Sequence, residues 1–162
     1  MSVTRLSLPR MRPSDGVAWI TGASSGIGEA VALELARQGW TVAITARRLE
    51  LLEDIARRAE GLPGRILAHA GDVTDADSMK AVIEGVESVQ GSIALAFLNA
   101  GIAPDSDGIL DMEAFERIIA VNLVGVARGL SVLLERMSTR GRGQIAVNAS
   151  VAGYGGLPGA SA

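Results

Sequence analysis

One segment decides the fold of this chain: Val17-Ala18-Trp19-Ile20-Thr21-Gly22-Ala23-Ser24-Ser25-Gly26-Ile27-Gly28. Its first four residues are apolar, as in a buried strand, and its glycines are typical of a tight turn. The residues that follow, 29–37, have a helical pattern that ends at Gly39. A strand, a glycine-rich turn and a helix in this order form the context that a phosphate-binding loop requires.

Each glycine of this loop has a physical reason. Gly22 lets the backbone turn off the strand, Gly26 leaves room for a pyrophosphate, and Gly28 lets the helix lie close to the sheet. The amides of the first helical turn and the positive end of the helix dipole would face the anion, while the two serines can add hydroxyl donors. An ordinary glycine-rich turn is the alternative. The residues predicted to hold the ligand are Gly22, Ser24, Ser25, Gly26, Ile27 and Gly28.

Apolar runs alternate with helical patterns along the rest of the chain. We predict strands at 17–21, 41–45, 65–70, 93–98 and 143–149, and helices at 26–38, 49–60, 75–89 and 111–138. Such alternation implies right-handed crossovers and a parallel sheet with helices on both faces. The predicted fold class is α/β, a doubly wound parallel sheet of the Rossmann type with strand order 3-2-1-4-5. Residues 1–14 are expected to be a flexible arm, and residues 15–162 one dinucleotide-binding domain.

Composition excludes several function classes. The 162 residues are 48% hydrophobic, enough for one buried domain, and 15 basic against 18 acidic residues give no basic excess for nucleic acid. The absence of cysteine excludes disulfides and thiolate metal sites and suits the cytoplasm. The single histidine, His69, lies in a predicted strand, so no metal site is expected. No unbroken run reaches the ~18 apolar residues of a membrane helix, and no membrane partner is expected.

Five ordered signals resemble the short-chain dehydrogenases/reductases. They are Thr-Gly-x-x-x-Gly-x-Gly at residues 21–28, Asp72-Val73 after the third strand, Asn99-Ala100-Gly101 after the fourth, Asn122 within the long helix, and Ser150 after the fifth strand. The resemblance runs from about Val17 to the last residue. It implies hydride transfer between a nicotinamide cofactor and a carbonyl or alcohol group of a small-molecule substrate.

The residues after the second strand bear on the choice of cofactor. Ala46-Arg47-Arg48 follow that strand, and no carboxylate occurs before Glu50. A carboxylate at this point would bind a ribose 2′-hydroxyl and repel a 2′-phosphate, whereas a guanidinium would bind the phosphate. We therefore predict that NADP (NADPH) is preferred over NAD, with Arg47 and Arg48 as cofactor-binding residues. A solvated arginine pair at a helix start is the alternative.

The resemblance assigns roles to the other signals. It places Asp72 at the adenine amino group, Val73 against the adenine, and Asn99, Ala100 and Gly101 beside the ribose and nicotinamide. It makes Asn122 and Ser150 catalytic residues, the first holding a proton-relay water and the second polarising the substrate carbonyl or hydroxyl. Without the resemblance, each signal has a plain alternative. Asp72 could belong to a helix cap and the loop of Asn99 could be a tight turn. Asn122 could satisfy a helix bend, and Ser150 could end a strand.

The chain departs from the family pattern in one respect. The family has a tyrosine about thirteen residues after the serine and a lysine four residues further on, but here Tyr154 is the only tyrosine and Lys80 the only lysine. The resemblance therefore implies a carboxy-terminally truncated fold, inactive by itself. An exposed edge strand and an uncovered helix would favour a homo-oligomer. The alternative is a non-catalytic dinucleotide-binding or assembly module.

Overall fold

The computed structural model describes residues 10–103, 111–150 and 153–155. The strands are β1 (Val17–Thr21), β2 (Thr41–Ala46), β3 (Arg65–Ala70), β4 (Ile93–Leu98) and β5 (Gln144–Val147). The helices are α1 (Gly26–Arg37), α2 (Leu49–Arg58), α3 (Ala76–Gln90), α4 (Met112–Ile119) and α5 (Val126–Thr139), and a π-helical segment, Ala120–Gly125, joins the last two. A short 3₁₀ turn, Pro13–Asp15, precedes β1, and residues 1–9 of the predicted arm lie outside the described residues.

The five strands form one parallel sheet in the order β3-β2-β1-β4-β5. This confirms the predicted doubly wound topology and strand order. The order reverses between β1 and β4, so the loops that leave the carboxyl ends of these two strands diverge to opposite faces of the sheet. In such sheets the crevice at this reversal is where ligands bind.

Helices cover both faces of the sheet, and two apolar clusters form the core. Helices α1 and α2 pack on one face, where the buried side chains include Ile20, Leu33, Ile44, Leu52 and Ile55. Helices α3 and α5 pack on the other, where they include Trp19, Met79, Ile83, Leu98 and Leu133. Full burial of each large apolar side chain contributes about 1.5–3 kcal/mol before the entropy of ordering is subtracted. The core therefore fixes the strand ends that carry the candidate site.

The ends of the elements follow local chemistry. The Asp75 carboxylate accepts hydrogen bonds from the Asp77 and Ser78 amides at 2.9 and 3.1 Å, so it caps α3. Strand β5 ends at Val147, two residues before the predicted end. The next amide, that of Asn148, still donates to the Leu98 carbonyl at 2.9 Å, after which the chain leaves the sheet.

The helical stretch Met112–Thr139 is 28 residues long and, by length and composition only, apolar enough to cross a membrane. The sequence prediction did not identify this stretch as long enough to cross a membrane, because charged residues such as Arg117 and Arg128 interrupt its apolar runs. In the structure, Leu133 and Met137 of this stretch are buried in the core, and Gly129 lies against Leu98 of β4. These are the contacts of a helix that packs on a sheet, although other apolar side chains of the stretch, including Leu123 and Leu134, are exposed.

Candidate functional site

The glycine-rich loop and the loop after β4 are in direct contact. Gly22 has a φ of 64°, and a methyl group on it would lie 2.5 Å from the Ala100 Cα. A methyl group on Gly28 would lie 2.5 Å from the Gly22 carbonyl oxygen and 2.7 Å from the Asn99 Nδ2. Only glycine fits at both positions, because the neighbouring atoms are mostly backbone that cannot rotate away.

The opposite side of the glycine-rich loop is open. Apart from its chain neighbours and the backbone of its own helix, no described heavy atom lies within 4 Å of where a Gly26 side chain would begin, and Ile27 is 59% exposed. Ser25 occupies the N-cap of α1 without a side-chain capping hydrogen bond, while Ser24 is half-buried. The first-turn amides of α1 therefore face open space and are available to an anion. This cradle fits a pyrophosphate.

Asn99 joins the ends of three strands. Its Nδ2 donates to the carbonyl oxygens of Gly22 and Thr21 at 3.1 and 3.3 Å, and its Oδ1 accepts from Nδ2 of Asn148 at 2.9 Å. The buried Thr21 hydroxyl also accepts from the amides of Asn99 and Ala100, at 3.1 and 3.2 Å. The sequence prediction did not include Asn148 or the Thr21 hydroxyl. A polar residue at the carboxyl end of an apolar strand is the signal that could have found both.

Asn122 holds the continuation of the loop after β4. Its Oδ1 accepts from the Ile102 amide, and its Nδ2 donates to the Ile102 carbonyl, each at 2.8 Å. The residue lies within the π-helical segment Ala120–Gly125, a kind of irregularity that often occurs at functional sites. The structure thus brings Asn122 to the segment that follows Asn99, Ala100 and Gly101.

Asp72 and Val73 form the loop after β3. The Asp72 Oδ1 accepts from the amide and the hydroxyl of Thr74, both at 2.8 Å. Partial burial by itself would raise the pKa of Asp72, but the Thr74 hydrogen bonds and the charges of Arg47 and Arg128 outweigh it and hold this pKa below its ordinary value. Asp72 is therefore an ionised acceptor at neutral pH, and Val73 beside it is half-buried.

The arginines after β2 are exposed. The charge of Arg47 acts on Asp72 of the neighbouring loop, while Arg48 occupies the N-cap of α2. Within the described ranges, neither guanidinium forms an ion pair closer than 4 Å with a carboxylate. The structure thus places Arg47 at the β2 and β3 ends of the sheet, with donors available to a ligand.

The remaining candidates lie beyond β5 and on α3. Ser150 is exposed at the same sheet edge, three residues after the strand, and its carbonyl accepts from the Gly153 amide at 3.1 Å. Tyr154 is 98% exposed, and Lys80 is an exposed residue of α3. The described residues contain no group of three or more His, Cys, Asp or Glu side chains that could hold a metal ion.

The sequence pattern of short chain dehydrogenases matches residues 16–162, nearly the whole chain. The chain belongs to this family. The chain is 38% identical over 141 residues to an uncharacterized oxidoreductase of Listeria innocua, and the match covers 86% of this chain and 57% of that protein. It is 37% identical over 150 residues to a 3-oxoacyl-[acyl-carrier-protein] reductase of Thermotoga maritima, covering 92% of this chain and 61% of the relative.

Solved structures of short-chain dehydrogenases share the fold. An alcohol dehydrogenase of the archaeon Thermococcus sibiricus, complexed with 5-hydroxy-NADP, superposes with a TM-score of 0.82 at 35% sequence identity. The match covers 90% of this chain and 62% of that structure. The chain is thus an oxidoreductase-family sequence that spans about three fifths of the relatives it matches.

Proposed function

We propose that this chain is the NADP-binding part of a short-chain oxidoreductase that transfers hydride between nicotinamide and a carbonyl or alcohol group of a small molecule. One observation carries the proposal: the uncapped first turn of α1 opens at the sheet edge where the loops after β1 and β4 are in contact. A bound nicotinamide would supply or accept the hydride. The residues of this chain would bind and orient the nicotinamide, and they would hold the proton that is exchanged with the substrate.

The phosphates and the adenine have separate binding residues in this proposal. The first-turn amides of α1, with Ser24, Ser25 and the open space over Gly26, hold the pyrophosphate. Asp72 accepts a hydrogen bond from the adenine amino group through its Oδ2, for which no hydrogen bond occurs among the described residues. Val73 and the exposed Ile27 supply apolar contact.

The reacting end of the site consists of residues near the ends of β4 and β5. The loop of Asn99, Ala100 and Gly101 lies beside the ribose and nicotinamide, in a position that the bonds to Thr21 support. Asn122 holds a water that relays a proton, and Ser150 polarises the substrate oxygen. Positioned proton transfer of this kind typically contributes about 10²–10⁴-fold to the rate.

The preference for NADPH over NADH rests on Arg47. Its guanidinium is exposed after β2, its charge acts on Asp72, and the nearest carboxylate along the chain after β2 is Glu50. Calorimetric titration of the chain with NADPH and NADH tests this. We expect Arg47→Ala to weaken NADPH binding by about ten- to hundredfold, the value of a lost charged hydrogen bond, and to leave NADH binding unchanged.

Arg57→Ala is the matched control for that titration. Arg57 is an exposed arginine of α2 that pairs with Asp54 at 3.0 Å, so its removal changes the net charge equally without touching the proposed site. Equal losses in the two variants would mean that general electrostatics, not phosphate recognition, sets the preference. If the unmodified chain bound neither nucleotide, the proposed function would be wrong.

A second candidate function is a dinucleotide-binding or assembly module without catalysis. Tyr154, the only tyrosine, lies four residues after Ser150, and Lys80, the only lysine, is on α3. These positions support the proposal that residues 1–162 alone do not reduce carbonyl groups. NADPH oxidation with a panel of ketones and aldehydes tests both statements, because turnover by this chain would exclude the non-catalytic module and would also contradict the proposed inactivity of residues 1–162 alone.

We also propose a cytoplasmic homo-oligomer that binds neither nucleic acid nor membrane. The net charge of −3 and the absence of cysteine support the location and the lack of a nucleic-acid partner. Exposed apolar side chains on the long helix, Met112, Leu123 and Leu134, and Val147 on the edge strand support self-association. Sedimentation equilibrium measures the oligomeric state directly, and a monomer at micromolar concentration would contradict this part.

A further inference from the structure

The side chain of Arg128 reaches from α5 to the loop after β3. Its Nη1 donates to the carbonyl oxygen of Thr74 at 2.5 Å and lies 3.5 Å from that of Val73. The residue is partly buried, so its charge is only partly screened by solvent. A charged donor to a backbone carbonyl forms a stronger hydrogen bond than a neutral one. Arg128 therefore fixes the backbone of this loop.

Gly125, about one helical turn before Arg128, also lies close to the loop after β3. A methyl group on it would lie 2.9 Å from the Val73 Cγ2 and 3.3 Å from the Val73 carbonyl oxygen. Residues three apart lie on one face of a helix, so Gly125 and Arg128 present a continuous surface to Val73 and Thr74. The missing side chain brings the helix close enough for the arginine to reach both carbonyls.

The restraint passes from the loop backbone to the predicted adenine ligand. Thr74, whose carbonyl is held by Arg128, uses its amide and hydroxyl to hold the Asp72 Oδ1. The same continuous helix also holds the loop after β4, through Asn122 and Ile102. One helix therefore contacts two loops that follow different strands of the sheet.

We infer that Arg128 is a positioning residue for the adenosine end of the dinucleotide: it holds Val73 and Thr74 so that Asp72 and Val73 are preorganised to receive the adenine. This inference rests on the proposed function. It predicts that Arg128 acts on ligands that contain adenosine and not on those that contain nicotinamide alone.

The test compares 2′,5′-ADP, which lacks nicotinamide, with reduced nicotinamide mononucleotide, which lacks adenosine. We expect Arg128→Gln to weaken 2′,5′-ADP binding about tenfold in calorimetry, the effect of one lost charged hydrogen bond. Binding of the mononucleotide, followed by NMR titration, should change less than about twofold on the same scale. Arg128→Lys retains a charged donor and should recover most of the 2′,5′-ADP affinity.

Arg136→Gln is the control for an effect on the fold. Arg136 is on the same helix but pairs with Glu84 and Glu87, so its loss should lower the urea midpoint without changing 2′,5′-ADP binding. Unchanged 2′,5′-ADP affinity in Arg128→Gln, or equal losses for both ligands, would overturn the inference while leaving the proposed function intact. If Arg128→Gln does not fold, a Lys variant that folds but loses affinity for both ligands equally would overturn it too. Failure of the unmodified chain to bind 2′,5′-ADP would overturn the proposed function, and this inference with it.

Discussion

Asn148 donates a hydrogen bond from its Nδ2 to the Oδ1 of Asn99 at 2.9 Å, which joins the carboxyl ends of β5 and β4. Asn99 in turn donates to the Gly22 carbonyl in the glycine-rich loop. The side-chain amide of Asn99 thus connects the side chain of Asn148 to the loop proposed to bind phosphate. It connects the edge strand, most of which is exposed, to the centre of the candidate site.

Replacing Asn148 by leucine should loosen this connection. The Asn99 Oδ1 would lose its partner, and one net hydrogen bond contributes about 0.5–1.5 kcal/mol to the free energy of unfolding. Urea denaturation followed by circular dichroism measures the loss. Gln144→Leu, an exposed position on the same strand, is the control and should change the free energy less; equal effects would show that the Asn148 bond contributes nothing specific.

Replacing Gly28 by alanine should weaken NADPH binding and the fold together. Its methyl group would lie 2.5 Å from the Gly22 carbonyl oxygen, and overpacking of this kind costs about 1–3 kcal/mol. Gly85→Ala on α3 is the matched control, since no described atom outside the local backbone of α3 and the residue's chain neighbours lies within 4 Å of the added methyl group, and alanine favours a helix by roughly 0.5–1 kcal/mol. Calorimetry with NADPH and urea denaturation give both quantities. A Gly28→Ala variant with native affinity would contradict the assignment of the loop.

Replacing Glu87 by glutamine should destabilise the end of the sheet opposite the candidate site. The Glu87 carboxylate, 14% exposed, accepts from the Ile93 amide at 2.9 Å and pairs with Arg136 and Arg140 at 2.8 and 3.0 Å. Hydrogen bonds to charged groups contribute about 1.5–3 kcal/mol each, less where solvent reaches them. Glu84→Gln is the control, because Glu84 is 49% exposed and, among the described residues, forms an ion pair only with Arg136, at 3.2 Å. Similar unfolding free energies for the two variants would contradict this prediction.

The same carboxylate predicts a loss of stability in acid. Burial alone would raise the pKa of Glu87, but the Ile93 amide and the two arginines outweigh it and lower this pKa in the folded state. As pH falls, the unfolded state then binds the proton first. The contribution of Glu87 to the free energy of unfolding is therefore fully present above the ordinary glutamate pKa of about 4.3, and it is lost as pH falls through the lower pKa of the folded state. Urea midpoints between pH 6 and pH 3 should fall less steeply for Glu87→Gln than for the unmodified chain.

His69 predicts a second pH effect in a separate window. Burial lowers the pKa of His69, and its Nε2 has no hydrogen-bond partner among the described residues. As pH falls below about 6.5, the unfolded chain takes up the proton before the folded one, so stability should decrease. The chain has no other histidine, so His69→Leu should abolish the slope of stability against pH between pH 7.5 and 5.5. An unchanged slope in differential scanning calorimetry would show that another group titrates.

The sequence predicted the elements well because their signals are local. The apolar runs before Gly22 and Asn99 and the capping Asp75 each act within a few residues, and the structure has strands and a helix at these positions. The π-helical turn around Asn122 was predicted only as a possible bend. Asn122 within this turn bonds to Ile102, twenty residues away, and no local pattern in the sequence encodes a contact of that range.

By itself, the sequence determined the family, the alternation of strands and helices, and the glycine-rich turn, because these depend on residue types at short spacing. Only the tertiary structure decided which strand ends meet and which side chains join them. Asn148 reaches Asn99 across 49 residues, and Arg128 reaches Thr74 across 54. Such contacts depend on the parallel register of the sheet and on the rotation of a helix about its axis, both of which are set by packing of the whole core.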